Sequence, residues 1–253
     1  MKQKDSPKKQ KMDRKTGRMI QILVVMLVLV AAAVAFQLFT SDNNGSAKVI
    51  ELDAGNGGDQ TGDTGIINES DFAQGVTDEL QKLLKKDSRF TVKLTHEAGT
   101  ASIANARAEK TNEDKADLLI SIHADASIDP EVSGMKIYAD IPTAKTNADS
   151  VKIAEAVKNS FLDTELKPEA YYCYYKEIRP DVYQIHKVTL DDKTDYEEET
   201  LDILTKTEVP AVFVEQIYVT NQTDVDAWTD EAGYKDAAQR YYKAILEYFG
   251  ETE

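Results

Sequence analysis

Short apolar runs alternate with segments of helical periodicity through most of this 253-residue chain. Apolar runs of strand length occupy residues 49–52, 90–94, 118–122 and 209–214, with a shorter candidate at 137–139. Between them, apolar residues recur every three or four positions over 72–84, 151–161 and 238–249. Strands that alternate with helices need crossover connections. The pattern therefore predicts an α/β fold with a mostly parallel central sheet and helices on both faces.

The first 39 residues differ in kind from the rest. Eight basic and two acidic residues fill positions 1–18, and residues 19–39 are almost all apolar. An apolar segment of this length can span a bilayer as a helix, and the basic residues before it predict a cytoplasmic amino end. The prediction is a single-pass signal anchor in the cell membrane, with the remainder of the chain outside. The alternative is a signal peptide cleaved after the small residues at 33–35.

These features divide the chain into four parts. We predict a basic cytoplasmic tail at 1–18, a transmembrane anchor at 19–39, a polar linker at 40–47 and one catalytic-type α/β domain at 48–253. Cys173 is the only cysteine, so no intrachain disulfide can form. About two hundred residues are enough to build an ordinary apolar core instead.

The charge balance excludes one class of partner. The formal net charge is −15, and because residues 1–18 carry +6, residues 19–253 carry −21. A nucleic-acid partner would require basic side chains to neutralise phosphates, so none is expected. Electrostatic adhesion of the acidic part to an anionic surface is excluded on the same ground.

Polar side chains follow the ends of the predicted strands. Asn56 lies in a glycine-rich loop after the first strand, His96 follows the second, His123 the third and Glu215 the fourth. Taken singly, each has a structural interpretation, such as a hydrogen-bonded loop histidine or a salt-bridged glutamate. The carboxyl ends of parallel strands meet at one edge of a sheet, where open α/β sheets bind ligands. Their joint occurrence therefore predicts a site at that edge.

Glu69, at the start of the first helix, is placed to join this site. Glu69 and His123, with a residue of the loop, would form a three-ligand zinc centre that leaves a position for water. Zinc lowers the pKa of bound water to near 7, and a neighbouring carboxylate can then accept its proton. Glu215 is the candidate for that carboxylate.

Five segments in the same order resemble the zinc-dependent N-acetylmuramoyl-L-alanine amidases, which cut bacterial peptidoglycan between the lactyl group and the stem peptide. The segments are LDAGNGG (52–58), similar to IDAGHGG; LTH (94–96), similar to LTR; an Arg107–Asn112 stretch, similar to R…AN; ADLLISIHADA (116–126), similar to ADLFISIHANA; and VPAVFVEQIYVTNQTD (209–224), similar to VPAVLVEVGFLSNPED. The resemblance covers about residues 48–249. It implies a bacterial protein with Glu69 and His123 as metal ligands, Glu215 as the catalytic residue, and Arg107 and Asn221 as support for substrate or structure.

Two departures from the family pattern concern the metal. Asn56 stands where the family has its first metal histidine, and an amide oxygen is a poor replacement for an imidazole nitrogen at zinc. His96 stands where the family has an arginine, which makes it a candidate substitute ligand. Zinc binding is therefore expected to be weak unless another side chain compensates for Asn56.

Two functions follow from the resemblance. The first is a membrane-anchored hydrolase that cuts the amide between N-acetylmuramic acid and L-alanine, weakened by the loss of one ligand. This one is favoured by retention of five family residues: Glu69, His123, Glu215, Arg107 and Asn221. The second is an inactive pseudoenzyme that binds wall fragments or a partner protein, and Asn56 favours it. In either case, peptidoglycan or muropeptides are the expected ligands.

Two further segments have structural interpretations. The tyrosines of AYYCYYKE (170–177) fit a half-buried strand better than a platform for sugar rings. Residues 191–200 are predicted to be a solvated acidic loop. His186 is expected to be a surface residue in an irregular region.

Overall fold

A computed structural model of the chain describes residues 26, 46–179, 182–194 and 196–252. The predicted tail at 1–18, the predicted anchor at 19–39 apart from Met26, and most of the linker at 40–47 lie outside the described residues. Within the part that the structure describes, no helix is both long and apolar enough to cross a membrane. The elements below belong to the unit Ala47–Glu253.

Eight strands form one sheet in the described part of this unit. They are β1 (Lys48–Ala54), β2 (Phe90–Leu94), β3 (Leu118–Asp125), β4 (Lys136–Ala139), β5 (Glu169–Arg179), β6 (Val182–Thr189), β7 (Glu199–Thr200) and β8 (Ala211–Tyr218). The order is β2-β1-β3-β8-β4-β5-β6, and β7 pairs with β5. The four strands predicted from apolar runs are present as β1, β2, β3 and β8. The shorter candidate at 137–139 is present as β4.

The described sheet is mixed: four of its strand pairs are parallel, including β4 with β5, and three are antiparallel, which the sequence did not predict. Strands β2, β1, β3 and β8 are mutually parallel. Strand β4 runs antiparallel to β8, and β6 and β7 run antiparallel to β5. The connection between β3 and β4 covers only residues 126–135 and contains no helix. A parallel return needs a longer crossover, so β4 comes back in the opposite direction.

Six helices of the described residues cover the sheet. They are α1 (Glu69–Leu84), α2 (Ala104–Glu113), α3 (Asn147–Phe161), α4 (Asp202–Thr205), α5 (Gln222–Trp228) and α6 (Glu231–Phe249). The larger core lies between one sheet face and α1, α3 and α6, whose apolar stripes include Phe72, Val157 and Tyr241. A smaller cluster on the other face contains Ala108 of α2 and Leu204 of α4. Helices therefore lie on both faces, as predicted.

Strands β5 and β6 differ most from the sequence predictions. The tyrosine-rich segment is strand β5, as expected, and Tyr172 and Tyr174 are buried. His186 lies within strand β6 rather than in an irregular region. It is half-buried because its ring packs edge-on against Tyr196, with ring centroids 4.7 Å apart.

Strand register places a set of polar residues on the face with the smaller cluster. Asp53 pairs with Ser121, Ser121 with Phe213, and His123 with Glu215. Register partners in adjacent strands project their side chains to the same face. His123 and Glu215 lie at the carboxyl edge of the parallel strands, which is where open α/β sheets bind ligands.

Candidate functional site

Glu69 and His123 are in direct contact at the carboxyl edge of the parallel strands. Glu69 begins α1 and His123 lies near the end of β3, and Nδ1 of His123 is 2.6 Å from Oε1 of Glu69. Both side chains are 8 % exposed. The ring of His123 stacks on Phe213 at a centroid distance of 4.1 Å. Its Nε2 is buried and has no hydrogen-bond partner in the described part of the chain.

Two glycines allow the loop after β1 to lie close to these side chains. A Cβ on Gly55 would overlap the ring of His123. A Cβ on Gly62 would overlap both Glu69 and Asn56, and the φ of Gly62 is +67°, which favours glycine. The glycines of the loop thus make room for the site's own side chains.

Asn56 joins this pair from the loop. Its side-chain amide and the Oε2 of Glu69 both lie beside Cα of Gly62. The φ of Asn56 is 64°, in the left-handed region that asparagine and histidine adopt more readily than most residues. The backbone N–H of Asp63 donates to Oε2 of Glu69 at 2.8 Å and holds this carboxylate in place.

His96 lies beside Asn56, with both ring nitrogens at protein oxygens. Nε2 is 3.0 Å from the backbone carbonyl oxygen of Asn56, and Nδ1 is 2.8 Å from Oγ1 of Thr95. A role as substitute ligand would require His96 to leave at least one of these contacts. That role stays a prediction.

Asp53 anchors the floor of the site. Its carboxylate is fully buried and accepts hydrogen bonds from Arg107, Thr95 and Ser121, each at 2.6 Å. Burial alone would raise the pKa of Asp53, but Arg107, His123 and the two hydroxyl groups hold it below its usual value. Arg107, predicted to support substrate or structure, is thus paired with a carboxylate beneath the site.

Glu215 is held by a lysine that the sequence analysis did not identify. Nζ of Lys136 lies 2.6 Å from Oε2 of Glu215 and also contacts the carboxylate of Asp125. The hydroxyl group of Tyr138 donates to Oε2 of Glu215 at 3.2 Å. Burial raises the pKa of Glu215, and Lys136 opposes this effect. For Lys136, burial acts to lower the pKa, but the two carboxylates outweigh it and keep the ammonium charged.

Asn221 lies outside this group of side chains. Its Oδ1 accepts a hydrogen bond from the backbone N–H of Asp224 at 3.0 Å, which caps α5. Its Nδ2 donates to the carbonyl oxygen of Pro130 at 2.9 Å and ties α5 to the loop after β3. These contacts connect the loops around the site.

The side chains present do not complete a three-ligand zinc centre. Glu69 and His123 are suitable ligands and are adjacent, and Nδ1 is the ring nitrogen that faces Glu69, whereas the unpartnered Nε2 lies 4.0 Å from Oδ2 of Asp53. Among the described residues, however, no three His, Cys, Asp or Glu side chains are grouped so that they could hold a metal ion. The third neighbour is the amide of Asn56, and a catalytic zinc usually has three protein ligands of the stronger kinds.

The sequence of the domain matches one known family. Residues 50–247 match the profile of Amidase_3, described as N-acetylmuramoyl-L-alanine amidase. The chain belongs to this amidase family. Similar curated relatives of the amidase domain are the endolysin of Bacillus phage SPP1, 24 % identical over 202 residues, and the amidase AmiC of Escherichia coli O6:H1, 22 % identical over 221 residues. The matches cover 79 % and 80 % of this chain and 66 % and 53 % of those relatives. The chain thus spans about half to two thirds of their length.

Solved structures share the fold of this amidase-family domain. The catalytic domain of CwlV, an amidase from Bacillus (Paenibacillus) polymyxa var. colistinus, superposes with a TM-score of 0.64 at 21 % identity, covering 81 % of this chain and 99 % of that one. An amidase from Clostridium difficile 630 superposes with a TM-score of 0.65 at 18 % identity, covering 83 % and 100 %. At these identities the superpositions establish the architecture.

Proposed function

We propose that this amidase-family domain binds muropeptides of peptidoglycan at the carboxyl edge of its parallel strands and does not hydrolyse them efficiently. The observation that carries the proposal is the composition of the group around His123. Among the described residues, Glu69 is the carboxylate in hydrogen-bond contact with the ring, and the third side chain is the neutral amide of Asn56. A zinc ion would lack a strong third ligand there.

The state of Glu215 supports the same proposal. A general base must reach the proton that it removes, and its basicity must suit that transfer. Here Oε2 of Glu215 is occupied by the ammonium group of Lys136 and the hydroxyl group of Tyr138. Glu215 would have to give up these contacts to act as a base.

A slow zinc-dependent amidase is the second candidate function. The contact between Glu69 and His123, and the position of Glu215 in register with His123, favour it. Buried carboxylates are costly unless they are paired, so a site without use has no stability reason to keep this group together. Hydrolysis of the amide between N-acetylmuramic acid and L-alanine is the reaction to test.

We also propose that residues 19–39 anchor the protein in a bacterial cell membrane, with the amidase-family domain on the outer side. The basic residues at 1–18 and the apolar segment after them support this arrangement. Fractionation of cells that express the full chain should recover it intact in the membrane. A soluble exported form that begins near Phe36 would contradict the anchor and favour a cleaved signal peptide.

One experiment distinguishes the two candidate functions. The full chain in detergent is titrated with an N-acetylmuramoyl peptide by calorimetry, and the same mixtures, with zinc added, are analysed by mass spectrometry for released stem peptide. We expect saturable binding and no release above the level of a protein-free control. Release that depends on zinc and is lost in Glu215→Ala would establish the slow amidase instead.

The absence of saturable binding would contradict the proposed function. N-acetylglucosamine oligomers without a peptide serve as the control ligand, because they lack the amide and the stem peptide. Equal affinity for these oligomers and for the muropeptide would place recognition in the glycan alone and would also contradict a site at this edge that recognises the peptide.

A further inference from the structure

A basic groove lies next to Glu215 on the same edge of the sheet. It has a volume of about 280 Å³, and its lining includes Lys136, Lys167, Lys187, Glu169 and Tyr218. Lys136 pairs in register with both Glu215 of β8 and Glu169 of β5. Because register partners share a face, the groove continues the sheet face that carries Glu215. Lys136 thus borders both the groove and the candidate site.

Two of the three lysines in the groove have no acidic partner. Lys136 is engaged by Glu215 and Asp125. Lys167 and Lys187 are exposed, and no carboxylate of the described residues lies within 4 Å of either ammonium group. Their positive charge is therefore available to a ligand.

The acidic residue of the groove, Glu169, is in contact with a tyrosine. Glu169 accepts a hydrogen bond from the hydroxyl group of Tyr171. The ammonium group of Lys187 lies 5.3 Å from the centroid of the Tyr171 ring, which orients this lysine over the sheet face. Tyr218 lies on the other side, with its ring centroid 5.0 Å from Nζ of Lys136. Lys167 and Lys187 therefore place two ammonium groups without a carboxylate partner in a chain of net charge −15.

We infer that this groove binds a carboxylate of the peptide part of the ligand, with Lys167 and Lys187 as its cationic partners. The inference rests on the proposed function and extends it from muropeptides in general to those whose peptide carries free carboxyl groups. An acidic domain repels peptide carboxylates over most of its surface. The ammonium groups of Lys167 and Lys187, which have no carboxylate partner, therefore attract these carboxylates to the groove. Lys136, held by Glu215 and Asp125, forms the boundary between the two parts of the site.

The test combines two ligands with two variants of the full chain. The ligands are N-acetylmuramoyl-L-alanyl-D-glutamic acid and the same compound with both carboxyl groups amidated. The variants are Lys167→Gln/Lys187→Gln and the matched control Lys86→Gln/Lys145→Gln. Lys86 precedes β2 and Lys145 follows the antiparallel β4, so both control lysines lie at the opposite edge of the sheet. The two double variants change the net charge equally.

We expect the unaltered chain to bind the acid about tenfold more tightly than the diamide, as a charge-assisted contact provides. The Lys167→Gln/Lys187→Gln variant should lose this preference and bind both ligands as weakly as the unaltered chain binds the diamide. The control variant should still bind the acid more tightly than the diamide, because it changes the net charge of the protein but leaves the groove intact.

Four outcomes would overturn the inference. If the Lys167→Gln/Lys187→Gln variant keeps the tenfold preference, the groove does not bind the carboxylate, while the proposed function stands. If both double variants lose it equally, net charge rather than the groove is responsible. If glycerol phosphate displaces the acid at equal concentration and only when Lys167 and Lys187 are present, the groove is a phosphate site. Binding of neither ligand by the unaltered chain would contradict this inference and the proposed function together.

Discussion

The ammonium group of Lys136 lies 2.6 Å from the carboxylate of Glu215, directly across the antiparallel pair of strands β4 and β8. Glu215 ends up beside this lysine because β4 runs in the opposite direction from β8, which brings the first residue of β4 to the carboxyl edge. The side-chain exposure of the two residues is 16 % and 22 %. The pair therefore joins two charges that are largely removed from water. One of its members, Glu215, is the residue to which the family resemblance assigns catalysis.

Replacing Lys136 with methionine should destabilise the domain by roughly 1–3 kcal/mol, because Glu215 and Asp125 would lose a shared partner in a mostly buried setting. Urea unfolding of the full chain, followed by fluorescence of the single tryptophan, Trp228, measures this. The control is Lys93→Met, which removes an ion pair with Asp114 at 2.9 Å whose lysine is 37 % exposed. It should cost less than about 1 kcal/mol. Equal losses would mean that Lys136 is an ordinary surface lysine.

Replacing Arg107 with methionine should have a larger effect, about 3–5 kcal/mol, because it leaves the fully buried carboxylate of Asp53 without its cation. Arg240→Met is the matched control. Its partner Asp163 is 76 % exposed and would be solvated after the change. The same urea titration should show a loss at least twice as large for Arg107→Met. A loss of under 1 kcal/mol would show that Asp53 is satisfied by Thr95 and Ser121 alone.

Glu51 predicts a pH dependence of stability. Its side chain is fully buried, and neither carboxylate oxygen has a hydrogen-bond partner in the described part of the chain. Burial, reinforced by Asp114, raises its pKa from 4.5 to about 7. Between these values the folded state holds a proton that the unfolded state has lost. The folded state is therefore favoured less as the pH rises from about 4.5 to 7, and the loss is complete above that range.

Glu51→Gln should remove this dependence, since the amide stays neutral at every pH. The unfolding free energy of Glu51→Gln minus that of the unaltered chain should increase between pH 5 and pH 7.5 by an amount on the order of 2 kcal/mol. Glu109→Gln, at an exposed position on α2, should show no such trend. A difference that is constant with pH would mean that Glu51 is ionised in the folded state throughout.

The sequence predicted the elements that are marked by continuous apolar runs, because buried strands and amphipathic helices leave periodic patterns. It also predicted that Asn56, Glu69, His123 and Glu215 lie at one edge, since parallel strands end together. Lys136 could not be predicted in the same way. Its position depends on the sheet order and on the direction of β4, a four-residue strand with no periodic signal. Asp53 and Arg107 are 54 positions apart, and the helix that carries Arg107 has few apolar residues.

Our central claim is that Asn56 prevents this amidase-family domain from holding zinc. The zinc content of Asn56→His tests this claim most directly. Histidine tolerates the positive φ of residue 56, so the variant should fold like the unaltered chain. Both full-length proteins are dialysed against micromolar zinc, and bound metal is measured by mass spectrometry. We predict about one zinc per chain for Asn56→His and much less for the unaltered chain, with amidase activity on muropeptide in Asn56→His that Glu215→Ala abolishes while the metal stays bound. One tightly bound zinc in the unaltered chain, with cleavage of muropeptide, would contradict the account and make His96 the first candidate for the third ligand.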